Sequence, residues 1–355
     1  MAVTVGLDIG GNAVRVAVVD TGKSSRVVRR YAEMPLPSGA VSGGEIVDEG
    51  AVSEAVAALW KRHKLPRKRV VVGTANQRLA VRQVDVPQMG PDELSEALPF
   101  QVQDSIPISI DDAVLDFVPL EQFVTPDGEP MESILVVAVH RDIIHSILRV
   151  MDTAKVAPAA VDLQAFALVR SIFGIEPGVG SPLQAIVDIG ASITQVVIAR
   201  AGTAQFVRLL PRGGDDFTAS LRDGLDLDEE SADELKRTVG VEPIGLPEGD
   251  DEVAKARRVL TEQADSLIDE VRGSVNYFEA SSGDERVERL VVAGNAARLP
   301  HLANRFGRSL SVTVEPARVL ELVEVGNIDM SDDEVLEAQP VIPTAIGLAL
   351  WGAVE

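Results

Sequence analysis

Asp8, Gly10 and Gly11, in the stretch LDIGGNAVRV, put a carboxylate and two residues without side chains where an apolar strand should turn. Glycine lets backbone N–H groups approach an anion closely and form a concave nest for phosphate oxygens. A carboxylate beside such a nest repels phosphate unless a cation stands between them, so the pattern implies Mg²⁺ held largely through water. The same chemistry recurs further on. Residues 185–199, AIVDIGASITQVVIA, repeat the pattern of residues 5–19, VGLDIGGNAVRVAVV, and Asp8 and Asp188 stand 180 positions apart. Each copy has an apolar run, Asp-Ile-Gly, a short polar turn and alternating apolar residues, and so reads as a β-hairpin whose glycines permit the positive φ of a tight turn. Taken singly, each is an ordinary hairpin. Together they suggest a duplicated domain with a cleft between its halves, each half offering a turn to one ligand. The candidate contacts are Asp8, Gly10, Gly11 and Asn12 on the first turn and Gly190, Ala191, Ser192 and Thr194 on the second, with Asp8 and Asp188 toward the metal. Such a cleft suits a nucleotide polyphosphate.

Composition bounds the rest. At 355 residues the chain exceeds what one core usually supports, and 46% apolar residues are enough for two. A formal charge of -22 argues against nucleic acid or anionic lipid as a direct partner, and 4% aromatic residues offer no stacking platform for single strands. Cysteine is absent, which excludes disulfides, cysteine-based zinc sites and thiol catalysis and suits a reducing compartment. The N-terminus lacks the pattern of a secretory signal, and no apolar run reaches the ~18 to 20 residues of a membrane span. The expectation is a cytoplasmic protein whose membrane role, if any, comes through a partner.

The two hairpins resemble the phosphate-binding motifs of the superfamily of actin, hexokinase and heat-shock chaperones. That resemblance implies a third signature, a strand, a glycine turn and a helix holding adenosine, and residues 290–302, LVVAGNAARLPHL, are similar to it. Leu290 to Val292 form the strand, Gly294 opens the turn, and Leu299-Pro300 begins the helix. Where the superfamily has two or three glycines, this chain has Gly294, Asn295 and Ala296, and Ala296 narrows the space. Residues 231–240, SADELKRTVG, resemble the helix that caps adenosine: Asp233 and Lys236 share a face, with Arg237 beside them, and either reach the nucleotide or form a surface pair.

Within the superfamily, residues 96–120, EALPFQVQDSIPISIDDAVLDFVPL, resemble the inserted subdomain of the type IV pilus assembly PilM family, which is related to FtsA. The likeness extends to GEIVDEGAVSEAVAALWKRHKL, to ADSLIDEVRGSVNYFEA with Leu267, Ile268, Val271, Val275 and Phe278 at helical spacing, and to PTAIGLALWG near the C-terminus. It implies an α/β, actin-like (ribonuclease H-like, duplicated) two-lobed fold with an FtsA-like inserted subdomain. Expected are a first lobe of residues 1–82, 158–182 and 340–355, an inserted subdomain of 83–157, a second lobe of 183–213 and 271–339, and a helical insert of 214–270. Residues 174–182, GIEPGVGSP, mark the crossing between lobes, and DMSDDEVLEAQP reads as a solvated loop rather than a metal site.

The implied function is a scaffold that binds ATP or ADP with Mg²⁺ and holds the cytoplasmic N-terminal tail of a PilN-like inner-membrane protein, beside other pilus components and with self-association open. Two other classes compete. A sugar kinase of the common bacterial type carries a cysteine-rich zinc motif and a Gly-His pair, both missing here, and FtsA carries a basic amphipathic tail where this chain has LALWGAVE. For hydrolysis the candidates are Asp162 and Gln164 in AAVDLQAF at the lobe crossing, although Asp162 equally suits a cap for the following helix. The reading gives slow turnover at best. His63, His140, His145 and His301 lack zinc-ligand spacing, and the cationic run WKRHKLPRKRV either solvates a helix end or touches an acidic partner.

Overall fold

A computed structural model describes residues 2–22, 26–174, 182–243, 249, 251–283, 285–326, 328 and 330–351. The chain opens with β1 (Ala2–Ile9), β2 (Ala13–Thr21) and β3 (Arg26–Pro35), an antiparallel meander. A short ribbon of β4 (Val41–Ser42) and β5 (Glu45–Ile46) leads to α1 (Glu49–His63), whose first turn is capped by the Asp48 carboxylate accepting from the Ala51 N–H at 2.9 Å. Next come β6 (Val70–Thr74), β7 (Ala80–Pro87), α2 (Pro91–Val102), β8 (Ala113–Val124), β9 (Pro130–His140) and α3 (Arg141–Thr153). β10 (Pro158–Leu163) runs directly into α4 (Gln164–Ile172).

The second half repeats the opening with β11 (Leu183–Ile189), β12 (Thr194–Arg200) and β13 (Thr203–Leu210). Three helices follow, α5 (Gly214–Leu225), α6 (Glu229–Val239) and the 30-residue α7 (Glu252–Ser281). The chain then forms β14 (Val287–Ala293), α8 (Leu302–Leu310), β15 (Thr313–Pro316), β16 (Glu324–Val325), α9 (Asp332–Ala338) and α10 (Pro343–Ala349). Among the described residues no helix is long and apolar enough to cross a membrane.

The sheets carry the duplication. One has the order β10-β6-β1-β2-β3-β16 and the other β13-β12-β11-β14-β15. In both, an antiparallel meander is extended by two parallel strands, so β1, β2, β3, β6 and β10 match β11, β12, β13, β14 and β15. A third sheet, β7-β9-β8, alternates its central strand: Ile134, Val136 and Ala138 pack toward α2, while Leu135, Val137 and Val139 join the core of the first sheet. The second core gathers Ile189, Phe217, Leu260, Leu267, Val271 and Phe306 from the second sheet and its helices. Of the spaced apolar residues of α7, Leu267, Ile268, Val271 and Phe278 are buried and Val275 is partly buried against that core.

Three local expectations change. Residues 332–338 form α9 rather than a loop, because Ser331 and Glu334 make a reciprocal capping box that nucleates the turn. After the Gly294 turn the chain runs through a 3-10 turn, Asn295–Arg298, and the helix starts at Leu302, not at Leu299. The crossing assigned to GIEPGVGSP lies, save for Gly174 and Pro182, outside the described residues.

α10 locks the first sheet from behind. Gly6 of β1 and Gly347 of α10 sit where a Cβ would overlap the Ala345 and Ala167 carbonyls, so helix, sheet and α4 approach at backbone distance. Gly347→Val should lower unfolding free energy by at least about 2 kcal/mol through overpacking. It would be read as a reduced urea midpoint, and an unchanged midpoint would show that the contact does not constrain the lobe.

Candidate functional site

The two hairpin turns face each other across a cavity of about 80 Å³ lined by Asp8, Gly10, Gly11 and Asn12 from one half and Asp188, Gly190, Ala191 and Ser192 from the other. Their backbones match bond for bond: Gly10 N–H donates to the Ala13 carbonyl at 3.0 Å and Gly190 N–H to the Ile193 carbonyl at 2.9 Å. Neither Gly10, Gly11 nor Gly190 has a positive φ, which corrects the reason expected for glycine here. The reason is space. A Cβ on Gly11 would stand 2.9 Å from the Ala191 Cβ, and one on Gly190 would stand 2.9 Å from the Ile193 carbonyl oxygen. The N–H groups of Gly11, Asn12, Ala191 and Ser192 donate to no carbonyl among the described residues, so both turn tips keep donors for an anion. The second turn is fixed from outside by the start of α5, where Gly214 and Asp215 donate to the Gly190 and Ala191 carbonyls, each at 2.9 Å.

Strand register decides what stands beside each carboxylate. Asp8 pairs with Arg15 across the first hairpin and Asp188 with Gln195 across the second. Arg15 and Gln195 are nearly buried, at 8% and 2% exposure, and both line the cavity. Gln164, the first residue of α4, spans between the halves: its Nε2 donates to Asp8 Oδ1 at 2.8 Å, and its Oε1 accepts from Gln195 Nε2 at 3.1 Å. Gln195 Nε2 also donates to Asp188 Oδ2 at 3.1 Å, which completes the relay Asp8–Gln164–Gln195–Asp188. The Oε1 of Gln195 is buried with no hydrogen-bond partner. A further bond from Gly43 N–H to Ser192 Oγ at 3.1 Å tightens the closure.

Burial governs the electrostatics. It raises the Asp8 carboxyl to about 6, with Arg15 opposing. Burial, and next the charge of Asp8, raise Asp188 to about 7, against its bond from Gln195 and the more distant Arg15. Among the described residues no three His, Asp or Glu side chains converge on a metal site, so a cation at this place would have two carboxylates and would complete its shell with water and ligand oxygens.

The other candidates distribute unevenly. Gly294 and Asn295 line the cavity, and Gly294 needs its positive φ of 89°. Ala296 lies behind them against Gly214, and Leu299 is buried in the second core. Asp233 and Lys236 pair at 2.7 Å, Arg237 pairs with Asp233 at 2.6 Å, and Lys236 Nζ also donates to Thr218 Oγ1 at 2.6 Å and the Gly214 carbonyl at 3.2 Å. They tie α6 to the start of α5 and do not line the cavity. Thr194 is fully buried and donates to the Arg212 carbonyl at 2.8 Å, away from the turn tips. Asp162 is not beside Asp8 either: it pairs with Arg170 and accepts from the Leu163 N–H at 2.8 Å, while Leu163 occupies the cap position of α4. Gln164 alone of the two crossing candidates reaches the cavity. Sequence reasoning missed Arg15 and Gln195. Each follows its hairpin aspartate by seven residues, and superposing the two copies of the repeat marks them as a polar pair within otherwise apolar strands.

Both aspartates hold protons more tightly in the fold than as ordinary carboxylates near 4 in the unfolded chain. Folding therefore takes up protons, and the unliganded protein loses stability as pH rises from about 4 through about 7. Asp188→Asn should raise unfolding free energy by about 1–2 kcal/mol near pH ~8 and leave it almost unchanged near pH ~4.5. Urea titrations at the two pH values compare these, and an equal effect at both would mean that Asp188 ionises as an exposed acid.

Comparison with known proteins places this geometry. A chain of a PilM-PilN type IV pilus biogenesis complex is 25% identical, with a TM-score of 0.84 over 99% of this chain and 98% of that one. The ethanolamine utilization protein EutJ of Carboxydothermus hydrogenoformans is 15% identical, with a TM-score of 0.54 over 99% and 90%. MreB5 of Spiroplasma citri bound to ADP is 12% identical, with a TM-score of 0.58 over 100% and 97%. The expected actin-like two-lobed α/β fold is borne out. Residues 6–353 match the family model described as type IV pilus assembly protein PilM, and the chain belongs to that family.

Proposed function

We propose that the chain binds ATP or ADP with Mg²⁺ between its two hairpins and, in a conformation set by that nucleotide, holds the cytoplasmic N-terminal tail of a PilN-like inner-membrane protein. The observation that carries the nucleotide reading is the pair of facing turns, with free N–H groups at their tips, two carboxylates behind them and the Gln164–Gln195 bridge between. The residues fit the group. Hard carboxylate oxygens suit a hydrated Mg²⁺, the glycines leave a cradle that any Cβ would fill, and the orphaned Gln195 Oε1 waits for a donor such as a metal-bound water.

Asp8 and Asp188 would face the metal through water, with Gly10, Gly11, Asn12, Gly190, Ala191 and Ser192 toward phosphate oxygens. Mg²⁺ supplies the positive charge that lets phosphate and carboxylate share one site. Arg15, beside Asp8 and buried, adds a cation of this chain's own. The Gly294–Asn295–Ala296 turn and the Asp233–Lys236–Arg237 cluster, joined through Gly214, would border the nucleoside. Gln164 is the better candidate to orient a water, because Asp162 is committed to Arg170. With no activated nucleophile pair, turnover is expected to be slow and the role is that of a scaffold.

Support for the partner comes from the 25% identical PilM chain, whose own complex is with PilN and which this chain matches over almost its full length. The tail would enter between the first lobe and the β7-β9-β8 subdomain, and the protein would sit at the inner face of the membrane through that contact. Since the Gly11 and Ala191 turns touch in this conformation, a polyphosphate must part them, which couples nucleotide to lobe angle and so to the tail's groove.

Calorimetric titration with ATP and Mg²⁺ should give Mg²⁺-dependent binding, weakened at least about tenfold by Asp188→Ala. Bound nucleotide should change the affinity for a peptide of the PilN-like N-terminal tail. Equal affinity of Asp188→Ala and wild type would sink the cleft assignment, and peptide binding indifferent to nucleotide would reduce the protein to an adaptor.

A further inference from the structure

Cations gather at the end of the first lobe that faces away from the cleft. β1, β6 and β10 run parallel, and Asp8, Ala75 and Gln164 at their C-terminal ends line the cavity, so the loops entering β6 and β10 lie at the opposite end of the sheet. Residues 60–70, WKRHKLPRKRV, lead into β6 with six Lys or Arg and no Asp or Glu. Arg67 closes the end of α3, donating to the Ala154 carbonyl at 3.3 Å and to that of Lys155. Lys61, Arg62, Lys64, Lys68 and Arg69, with Lys155 from the loop into β10, are exposed, and their side chains make no hydrogen bond or ion pair among the described residues.

Ordinary helix chemistry accounts for part of this. Lys61, Arg62 and Lys64 close α1 and Lys155 follows α3, and helix C-termini favour cations. Two such ends carry about one negative charge between them, far less than six cations, and Lys68 and Arg69 belong to neither helix. The backbone adds a second sign. Lys64, Arg69 and Lys155 hold φ of 50°, 56° and 57°, in the left-handed region where glycine is the least strained residue. Three of the seven non-glycine residues with positive φ among the described residues thus fall in this one place, and all three are cations. Backbone preference alone calls for glycine at each, so the charge has another use.

The surface is rigid and bare of apolar anchors. Trp60 and Leu65 are buried beneath it, the Trp60 indole donates to the Pro66 carbonyl at 2.9 Å, and no large apolar side chain of either loop is exposed. Protein interfaces centre on aromatic and other apolar anchors and are poor in lysine. This surface is the reverse, with four lysines and nothing apolar to bury. It suits a plane of anionic headgroups, which basic side chains meet without a fitted pocket. The choice of a bilayer over another polyanion rests on the reading above, in which a tail holds the protein at the inner face of a membrane.

The total charge of -22 argues against anionic lipid for the molecule as a whole, but a contact reads local charge. Charges more than about 10 Å away are largely screened at ~0.1 M salt. Within residues 60–70 and 152–156 only Asp152 offsets the cations.

We propose that this face of the first lobe, built from Lys61, Arg62, Lys64, Lys68, Arg69 and Lys155, docks on the anionic headgroups of a bilayer. The contact is peripheral, inserts nothing, and uses neither the nucleotide cavity nor the hairpins.

Cosedimentation of the full chain with vesicles of phosphatidylcholine carrying ~30 mol% phosphatidylglycerol, in ~50 mM salt, tests this. Nucleotide and tail peptide are both left out, so this proposal and the tail reading fail separately. Wild type should partition onto these vesicles at least about tenfold more than onto phosphatidylcholine alone, and come off as salt rises to about 0.3 M. Lys61→Gln/Arg62→Gln/Lys68→Gln should lose at least about tenfold, since each cation contributes roughly fivefold at such a surface. Arg222→Gln/Lys255→Gln/Arg308→Gln makes the same change in net charge on helices of the second lobe and should stay within about twofold of wild type. All six positions are exposed, so thermal melts should match wild type and serve as the folding control. A wild type that ignores the anionic vesicles would overturn the proposal. So would a first variant that binds like wild type, or equal losses in both variants, which would make the effect one of net charge. Deca-glutamate or a DNA duplex bound by a wild type that leaves the vesicles alone would likewise overturn it, and would give the surface to a protein or a nucleic acid.

Discussion

Two facing aspartates, Asp8 buried and Asp188 half-buried, are the constraint around which the rest is arranged. Asp8 and Asp188 would repel one another if both were ionised without a partner, and burial alone already disfavours their charged forms. The protein answers with amides rather than with a buried lysine. Gln164 and Gln195 carry hydrogen bonds from one carboxylate to the other, and the buried guanidinium of Arg15 lies on one side only. An amide bridge can be broken and remade at little electrostatic cost, whereas a buried ion pair would clamp the cleft. The unpartnered Gln195 oxygen marks the arrangement as incomplete until a ligand is present.

Everything that positions this bridge comes from the duplication. The same five-strand order places Asp8 and Asp188 at the ends of central strands, with both neighbours paired, so their carboxylates have little freedom to turn toward solvent. α4 delivers Gln164 because β10 ends beside β6 and passes straight into the helix. Behind it, α10 presses on β1 and α4 at glycine distance, fixing the strand that carries Asp8. On the other side, the start of α5 binds the carbonyls of the second turn and leaves its N–H groups facing inward. Between the halves run the Gln164–Gln195 and Gly43–Ser192 hydrogen bonds, above a shared apolar core in which Leu168 of α4 meets Val197 and Val207 of the second sheet.

Much of this was readable in the residues, and the exceptions have physical reasons. Apolar runs on either side of a repeated Asp-Ile-Gly identify both hairpins, since a strand buried on both faces with a glycine turn has few other readings. The glycines were read for φ when they serve proximity, because sequence does not reveal which backbone comes near. Arg15 and Gln195 escaped notice because one polar residue in a strand looks like a solvent-facing position until the opposite half is in place. Thr194 looked like a phosphate contact by its nearness to the turn, but strand alternation points it inward to Arg212. α9 was missed because its run of acids suggested solvation, while the Ser331–Glu334 box that starts it is a local signal that was present.

The most direct test of the account is the distance between the halves. The chain has no cysteine, so Glu54→Cys on α1 and Glu234→Cys on α6, both exposed, give a clean pair of spin labels for pulsed electron resonance. If the touching turns must part to admit polyphosphate, Mg²⁺ with ATP will shift the distance distribution, and Asp188→Ala will suppress the shift. A distribution that stays the same while calorimetry reports saturated nucleotide would contradict the account, because the ligand would then be bound without disturbing the Gln164–Gln195 bridge.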